Sequence, residues 1–525
     1  MKKFTFILTL VCIFSTMGCD KDFGEININP LDPSDVAYGA LFNGVVSSLR
    51  LGWSRQLFLH NEVLYDVTEQ AVVTAKTFGN ISGGSEEIWS NYYSALKNAN
   101  ELYSRFPTIG ADPEVGSLLK AQLDILMAYK TFQVTDLFGD IPYSEAGKIF
   151  EQQPVIRAKY DSQESIYKSL IEDLESASAI LTAGGQTTSG NSFLRYGPFE
   201  TLFNDDLSKW VRFSNSLLLR HLVRMHDKEP GYVAPKIKAL IDNGANTIIK
   251  GGDAVMNPRD QMWSNLGVNW SFREHNKVRM GTNMWNYMTD NEEIIDPRAQ
   301  IFFEPNVNNE WIPFPQIPDA NTIQSGGEPY NKDKRDGSYE NKGLGNIYSS
   351  VNFYLIRDEQ DIPEILITSA EVQFLKAEIF LRGIGVIPDP YLASAAYQNG
   401  MLESLEFWQN IMINSVVWEN KSEILGTGDL FATVQHPNYA FDNSTSTEEN
   451  LERIYAQRWI DNFRQPWEAF SLLRRTNKVP RENPQNDFHR FQYPPSEAAF
   501  NTEMYNQQVG QMGGDDTVVK VWWME

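Results

Sequence analysis

Aromatic side chains with polar neighbours are concentrated in one part of the sequence. Asn265, Asn269, Arg273 and Asn283 are interleaved with three tryptophans. Flat rings can hold the faces of an extended sugar or peptide, while amides and charged groups bind its polar groups. Packing into the core of their own segment is the alternative for each tryptophan. The predicted ligand-binding residues are Phe78, Trp263, Trp270, Trp285, Trp311 and Tyr330.

Local motifs that indicate catalysis are absent from the sequence. It contains no HExxH, GxSxG, CxxC, GKS or GKT pattern, which place metal ligands, nucleophiles, thiols or phosphate-binding groups at fixed spacings. Among the histidines only His221 and His226 are close, and their separation of five puts them on different helix faces. His221 is therefore predicted to pack within its helix, and no catalytic residue, metal or cofactor is predicted.

Two carboxylates suffice for glycoside hydrolysis without any local motif. The sequence contains 68 acidic residues, so pairs of carboxylates cannot be selected by inspection. A surface-anchored glycan hydrolase or peptidase therefore stays as the alternative function.

Charge and composition limit the class of protein. The 68 acidic residues face 45 lysines and arginines, which gives a formal net charge of −23. Binding to nucleic acid needs a basic surface that neutralises phosphates, so a nucleic-acid partner is excluded. Hydrophobic residues make up 42% of the chain, which indicates a folded protein.

The first nineteen residues have the pattern of a lipoprotein signal. Two lysines precede the apolar run of residues 4–14, which is too short to span a membrane as a stable helix. We expect cleavage before Cys19 and acylation of its thiol, so that residues 1–18 are the signal peptide and residues 19–35 a lipidated tether. A plain signal peptide that is cut elsewhere is the alternative.

Amphipathic helices dominate the rest of the chain. Apolar residues recur at spacings of three and four through most of residues 36–250 and 368–475. Successive amphipathic helices with short connections favour stacked helix pairs, as in tetratricopeptide-repeat (TPR) arrays. The predicted fold is mostly α: a single domain over residues 36–525, with a TPR-like helix-pair superhelix and a long, irregular, loop-rich ligand-binding insertion at 251–367.

Capping residues predict where two of the helices begin and end. One helix should begin at a capping box of Asp161 and Glu164 and end at the glycine pair that starts with Gly184. A second should begin at Thr368 and end at Gly383.

Two further predictions concern aromatic side chains outside the insertion. The segment 518–523 is predicted to be an extended strand or a docked segment. The tryptophans that lie within helical stripes are predicted to be core residues: Trp89, Trp210, Trp408, Trp459 and Trp467.

Several segments, in a fixed order along the chain, carry a family resemblance. They are ININP (26–30), DLFGDIPYSEA (136–146), TSAEVQFLKAEIFLRG (368–383), AYQNGMLESLEFW (396–408), AQRWIDNFRQPWEAFSLLRRT (456–476), FQYPPSEAAFN (491–501) and KVWWM (520–524). Together they resemble the SusD/RagB family of outer-membrane nutrient-binding lipoproteins of Bacteroidota, in its second SusD-like subfamily.

The resemblance implies a non-catalytic binding protein with four TPR-like helix pairs. Members of that family sit as a lid over a SusC-like TonB-dependent transporter and capture glycans or peptides for import. The implied partners are such a transporter, an oligosaccharide or peptide ligand, and the outer membrane through lipid on Cys19. Asp20, Lys21 and Asp22 resemble a signal for export to the cell surface. Whether the ligand is a glycan or a peptide is left open.

Overall fold

The computed structural model describes most of the chain between Ala37 and Met524. The described residues are 37–50, 52–74, 81–106, 113–148, 155–187, 196–258, 268, 271–272, 277–306, 308–319, 347–357, 361–419, 421–425, 430–483 and 487–524. Helices predominate among them, which confirms the predicted mostly α fold.

The α-helices of these residues are α1 (Tyr38–Ser48), α2 (Trp53–Arg55), α3 (Tyr65–Thr68), α4 (Ile81–Arg105), α5 (Pro113–Phe138), α6 (Gln163–Thr187), α7 (Leu207–Met225), α8 (Pro230–Asp242), α9 (Thr282–Met288), α10 (Arg298–Phe302), α11 (Phe353–Arg357), α12 (Ser369–Arg382), α13 (Pro390–Asn414), α14 (Lys421–Leu425), α15 (Leu430–Val434), α16 (Thr447–Asp461), α17 (Pro466–Thr476), α18 (Pro495–Phe500) and α19 (Thr502–Met512). A π-helix, Gln56–Leu64, lies between α2 and α3, and short 3₁₀ helices cover Gly197–Phe199, Asn462–Arg464 and Trp522–Met524.

The strands are short and few. They are β1 (Val72–Val73), β2 (Ile141–Pro142), β3 (Tyr160–Asp161), β4 (Ala254–Met256), β5 (Val278–Arg279), β6 (Thr289–Asp290), β7 (Glu293–Ile294), β8 (Phe303–Glu304), β9 (Ser350–Val351) and β10 (Glu364–Ile367). All of their pairings within named sheets are antiparallel.

Consecutive long helices pack in pairs. Helix α4 contacts α5, α6 contacts α7, α12 contacts α13, and α16 contacts α17. Contacts of α5 with α6, of α7 with α12 and of α12 with α16 join these pairs into one array. The TPR-like arrangement of helix pairs is thus present.

The predicted start of α6 is wrong by one residue. Ser162 caps this helix, because its Oγ accepts a hydrogen bond from the backbone N–H of Ser165 at 3.2 Å. Asp161 lies in β3, and its Oδ2 accepts the backbone N–H of Tyr143 at 3.0 Å instead. A neighbouring serine therefore takes the capping role that the sequence pattern assigned to the aspartate.

The predicted end of α6 is also wrong. The helix continues through the glycine pair to Thr187. A Cβ added at Gly184 would lie 2.3 Å from Cδ2 of Leu118, so this glycine allows α6 to approach α5 closely. Tertiary packing here outweighs the low helix propensity of glycine.

Both predicted ends of α12 are confirmed. Thr368 Oγ1 accepts the backbone N–H of Glu371 at 3.0 Å, which satisfies one of the N–H groups left free at a helix start. Gly383 follows the helix with φ of 72°, a left-handed conformation that glycine adopts without steric cost.

The five tryptophans predicted to be core residues are all buried. His221 is also buried, and its ring stacks on Phe132 with a centroid separation of 3.5 Å and an interplanar angle of 7°. Burial lowers the pKa of His221 well below its usual value, so the imidazole is neutral. The prediction that it packs within its helix is confirmed.

The segment near residue 520 is docked rather than extended. Trp523 lies in a 3₁₀ turn and is buried, and its Nε1 donates to Asp136 Oδ1 at 2.9 Å. Of the two predicted alternatives the docked segment is confirmed, and the strand is wrong.

Opposite charges are buried between the helix pairs. Arg220 of α7 donates from Nε to Glu371 Oε1 of α12 at 2.9 Å, and Arg458 of α16 donates to the same oxygen at 2.7 Å. The side chains of Arg220 and Glu371 have no solvent exposure. Burial acts to raise the pKa of Glu371, but the two guanidinium groups lower it below its usual value, so the carboxyl is ionised.

The same network continues through a second arginine. Arg224 of α7 bridges Asp136 of α5 and Glu468 of α17, and Glu468 also lies 3.5 Å from Arg220. We call Asp136, Arg220, Arg224, Glu371, Arg458 and Glu468 the buried ion-pair network. It connects α5, α7, α12, α16 and α17.

Glu371→Gln should lower the free energy of unfolding by about 3–5 kcal/mol, because it leaves two buried guanidinium groups without their shared carboxylate. Urea unfolding followed by circular dichroism measures this. The control is Glu101→Gln, which removes the exposed Glu101–Arg105 pair and should cost less than about 1 kcal/mol. Equal effects of the two substitutions would contradict the importance of the network.

Gly400→Ala should destabilise the protein although alanine is the better helix former. A Cβ at Gly400 of α13 would lie 2.7 Å from Cε1 of Phe374 in α12, and such overpacking typically costs about 1–3 kcal/mol. At Gly510 of α19 a Cβ meets nothing within 4 Å, so Gly510→Ala should stabilise by up to about 1 kcal/mol. Thermal unfolding of the two variants should shift in opposite directions, and shifts of the same sign would contradict the close contact of α12 with α13.

Candidate ligand-binding site

A four-stranded sheet brings together chain segments that border the predicted ligand-binding residues. Its strand order is β1-β5-β9-β8. Thr74, just before residues 75–80, donates its backbone N–H to the carbonyl of Lys277 at 3.0 Å. Ser349, soon after residues 320–346, accepts the N–H of Met280 at 2.9 Å. The described residues that border the segments carrying Phe78, Trp270 and Tyr330 therefore meet at this sheet.

Several of the predicted residues lie outside the described residues. These are Cys19, Phe78, Trp263, Trp270 and Tyr330. Their assignment as lipidation and ligand-binding residues stays a prediction.

The two remaining predicted residues, Trp285 and Trp311, contact each other. Their rings stack with a centroid separation of 5.6 Å and an interplanar angle of 16°. Trp285 is 8% exposed in α9, whereas Trp311 is half-buried. We call this pair the aromatic platform. Trp285 belongs to the core and supports Trp311, whose exposed surface can contact a ligand.

Backbone hydrogen bonds place Trp311 beside α9. The N–H of Phe314 donates to the carbonyl of Met280 at 2.8 Å, and the N–H of Thr282 donates to the carbonyl of Phe314 at 3.0 Å. The segment 311–318 contains three prolines, Pro313, Pro315 and Pro318, which exclude a helix interior, and it lies without helical structure along the start of α9.

A polar loop supports α9 from another side. We call residues 480–483 the support loop. Glu482 accepts hydrogen bonds from Thr282 Oγ1 at 2.6 Å and from Asn286 Nδ2 at 3.2 Å. Asn286 is exposed and follows Trp285 in α9, and Glu482 is half-buried and lies beside this helix. Both side chains have polar groups that can bind the hydroxyl groups of a ligand.

Asn283, which the sequence placed among the polar neighbours of the tryptophans, has a structural role. Its Nδ2 donates to the carbonyl of Pro480 at 2.8 Å, and its side chain is buried. Glu482 and Asn286 were not predicted. Asn286 is adjacent to Trp285 and could have been inferred from that position, but nothing in the sequence around Glu482 connects it with α9.

Two clefts elsewhere contain none of the predicted ligand-binding residues. One of about 450 Å³ lies between α13 and the β4–β10 pair and includes Asp253 and Glu403, whose pKa values are raised by burial. Another of about 650 Å³ lies among α6, α7 and α8. Within the described part of the chain, no three histidine, cysteine, aspartate or glutamate side chains are grouped as metal ligands. The aromatic platform thus remains the candidate site.

A sequence model of the SusD-like family, described as the SusD and RagB outer membrane lipoproteins, matches residues 70–524. The chain belongs to the SusD-like family.

Solved structures of SusD homologues share its fold. A chitin-binding protein has a TM-score of 0.68 and 23% identity, over 93% of this chain and 100% of its own. A chitin-binding SusD homologue from Flavobacterium johnsoniae has a TM-score of 0.66 and 18% identity, over 92% and 98% of the two chains. A SusD homologue from Parabacteroides distasonis has a TM-score of 0.70 and 19% identity, over 93% and 98%.

A curated relative, SusD-like protein P2 of Formosa agariphila, is 25% identical over 193 residues. The match covers 34% of this chain and 38% of that protein's length. In the described regions of this SusD-like protein, no helix is both long and apolar enough to cross a membrane.

Proposed function

We propose that the protein is a non-catalytic, cell-surface lipoprotein that captures an oligosaccharide and delivers it to a SusC-like TonB-dependent transporter of the outer membrane. The observation that carries the proposal is the aromatic platform, in which a half-buried Trp311 is backed by a buried, nearly parallel Trp285. A sugar ring offers a flat apolar face to such a side chain. Membership of the SusD-like family supports the outer-membrane location and a transporter partner.

A glycan is favoured over a peptide as the ligand. Two of the solved structures that share this fold are described as chitin-binding. The platform also has polar neighbours, Asn286 and Glu482, which can bind sugar hydroxyl groups while the ring stacks. Binding by stacking and a few hydrogen bonds predicts affinities in about the micromolar range.

Trp311→Ala should weaken glycan binding about five- to tenfold, since the lost stacking contributes about 1–1.4 kcal/mol. Intrinsic tryptophan fluorescence measures this, in titrations with N-acetylglucosamine oligomers, other neutral glycans, anionic glycans and mixed oligopeptides. The protein would start at Asp20.

The matched control is Trp522→Ala. Trp522 is also half-buried and has an aromatic neighbour, Tyr167, with ring centroids 5.8 Å apart. Its ring packs against Tyr167 of α6 and is not part of the platform, so its removal should leave the affinity unchanged. Saturable binding that Trp311→Ala does not weaken would contradict the assigned site. A lack of saturable binding to any compound, alone and with the co-purified transporter, would contradict the proposed function.

Cys19→Ala should release the protein from the membrane fraction, because the acylated thiol is the proposed anchor. Cys12→Ser is the control: it changes the other cysteine, within the apolar part of the signal, and should leave the protein membrane-bound. Fractionation and immunoblotting compare the two variants. Retention of Cys19→Ala in the membrane fraction would contradict anchoring through this residue.

A further inference from the structure

Glu69 has a backbone conformation that is unfavourable for its residue type. Its φ is 56°, in the left-handed region, and its side chain is 2% exposed. The neighbouring residues fix this conformation: Trp459 Nε1 of α16 donates to the carbonyl of Thr68 at 2.8 Å, and Gln70 Nε2 donates to the carbonyl of Trp459 at 2.7 Å. The helical scaffold therefore holds the turn that carries Glu69. Glu69 is the left-handed residue that ends α3.

The buried carboxylate of Glu69 faces the support loop. Its Oε2 accepts the backbone N–H of Glu482 at 2.7 Å, and its Oε1 accepts the backbone N–H of Asn483 at 2.8 Å. Hydrogen bonds of this kind are charge-assisted and stronger than those between neutral groups. Both oxygens are thus used to hold one short stretch of backbone.

The support loop, held by Glu69, in turn contacts the helix of the aromatic platform. The side chain of Glu482 accepts hydrogen bonds from Thr282 and Asn286, which flank Trp285 on α9. A continuous series of hydrogen bonds therefore leads from α16, through Glu69 and the support loop, to the helix that carries Trp285.

We propose that Glu69 is a positioning residue of the ligand-binding site: its carboxylate fixes the support loop, and through it α9, where the rings of Trp285 and Trp311 stack. The inference rests on the proposed function at the same site. Glu69 itself is buried and acts through the loop, without contact with the ligand.

The ionisation of Glu69 matters to this role. Burial raises its pKa, and the carboxylate of Glu482 acts in the same direction, while the two backbone N–H groups and Arg481 act to lower it. A protonated carboxyl group cannot accept the two N–H groups equally well, because one oxygen then carries hydrogen. The loop is held while Glu69 is ionised and is released as the pH falls through its pKa, so glycan affinity should fall with it.

The test is Glu69→Gln, titrated with tetra-N-acetylchitotetraose by tryptophan fluorescence. The amide keeps one acceptor but turns its NH₂ group toward a backbone N–H, so binding should weaken about five- to tenfold. The fall of affinity at acid pH, present in the wild-type protein, should be absent from the variant. A purely structural role would lower the melting temperature and leave the affinity of the folded protein unchanged.

Two further variants separate positioning from general destabilisation. In a Trp311→Ala background, Glu69→Gln should weaken binding less than twofold, because both substitutions act on the same platform. Ala245→Gly is the matched control for a left-handed residue, since Ala245 has φ of 57° and lies in the groove beside α8, and it should leave affinity unchanged.

The outcomes distinguish the two proposals. Wild-type binding that Trp311→Ala weakens and Glu69→Gln does not would overturn the positioning role alone. Equal, additive losses from Trp311→Ala and Glu69→Gln would also overturn it. An absence of wild-type binding to this and every other glycan would overturn the proposed function, and the role of Glu69 with it.

Discussion

The helical scaffold depends on ion pairs that are buried between its helices. Arg220 and Glu371 have no exposed side-chain surface, and each would be costly to bury alone. Sliding α7 against α12 by one turn would separate them and break this pair. The buried ion-pair network therefore specifies how the helix pairs are placed relative to one another, whereas apolar contacts between the same helices would tolerate several arrangements.

A small number of contacts with the helical scaffold fix the geometry of the candidate ligand-binding site. Trp459 lies on the same helix as Arg458, so the helix that joins the buried ion-pair network also holds the turn at residues 68–70. The short strands add little length of sheet, yet they bring the start of α9 beside residues 311–318. A site carried by irregular segments can be accurate when its supports belong to long helices.

Much of the scaffold could be predicted from local sequence, because apolar spacing and caps are local signals. Thr368 and Gly383 mark the ends of α12, as predicted. The tryptophans that lie within the apolar stripes of helices are buried, also as predicted. The burial of Arg220, Arg224 and Glu371 could not be predicted, since a charged residue in a helical stripe resembles a solvent-exposed one until its partner is known.

The end of α6 was missed for a related reason: Gly184 serves a contact with Leu118, which lies in another helix. The candidate site was predicted in part. Aromatic residues in a loop-rich segment are visible in the sequence, and Trp285 and Trp311 were both named. Their stacking is not visible in the sequence pattern, and the support by Glu482 and Glu69 joins residues 200 and 413 positions apart, for which a single sequence carries no signal.

The pairing pattern of Asp136 has a consequence for the order of folding. Its carboxylate is shared by Arg224 and by Trp523 Nε1, and its carbonyl accepts a hydrogen bond from Arg474 Nη1. The helix that contains Asp136 cannot reach its final environment until segments 88 to 387 residues further along the chain have arrived. Contacts of such wide sequence separation slow folding. Until those later segments have packed against α5, the carboxylate of Asp136 lacks its native partners.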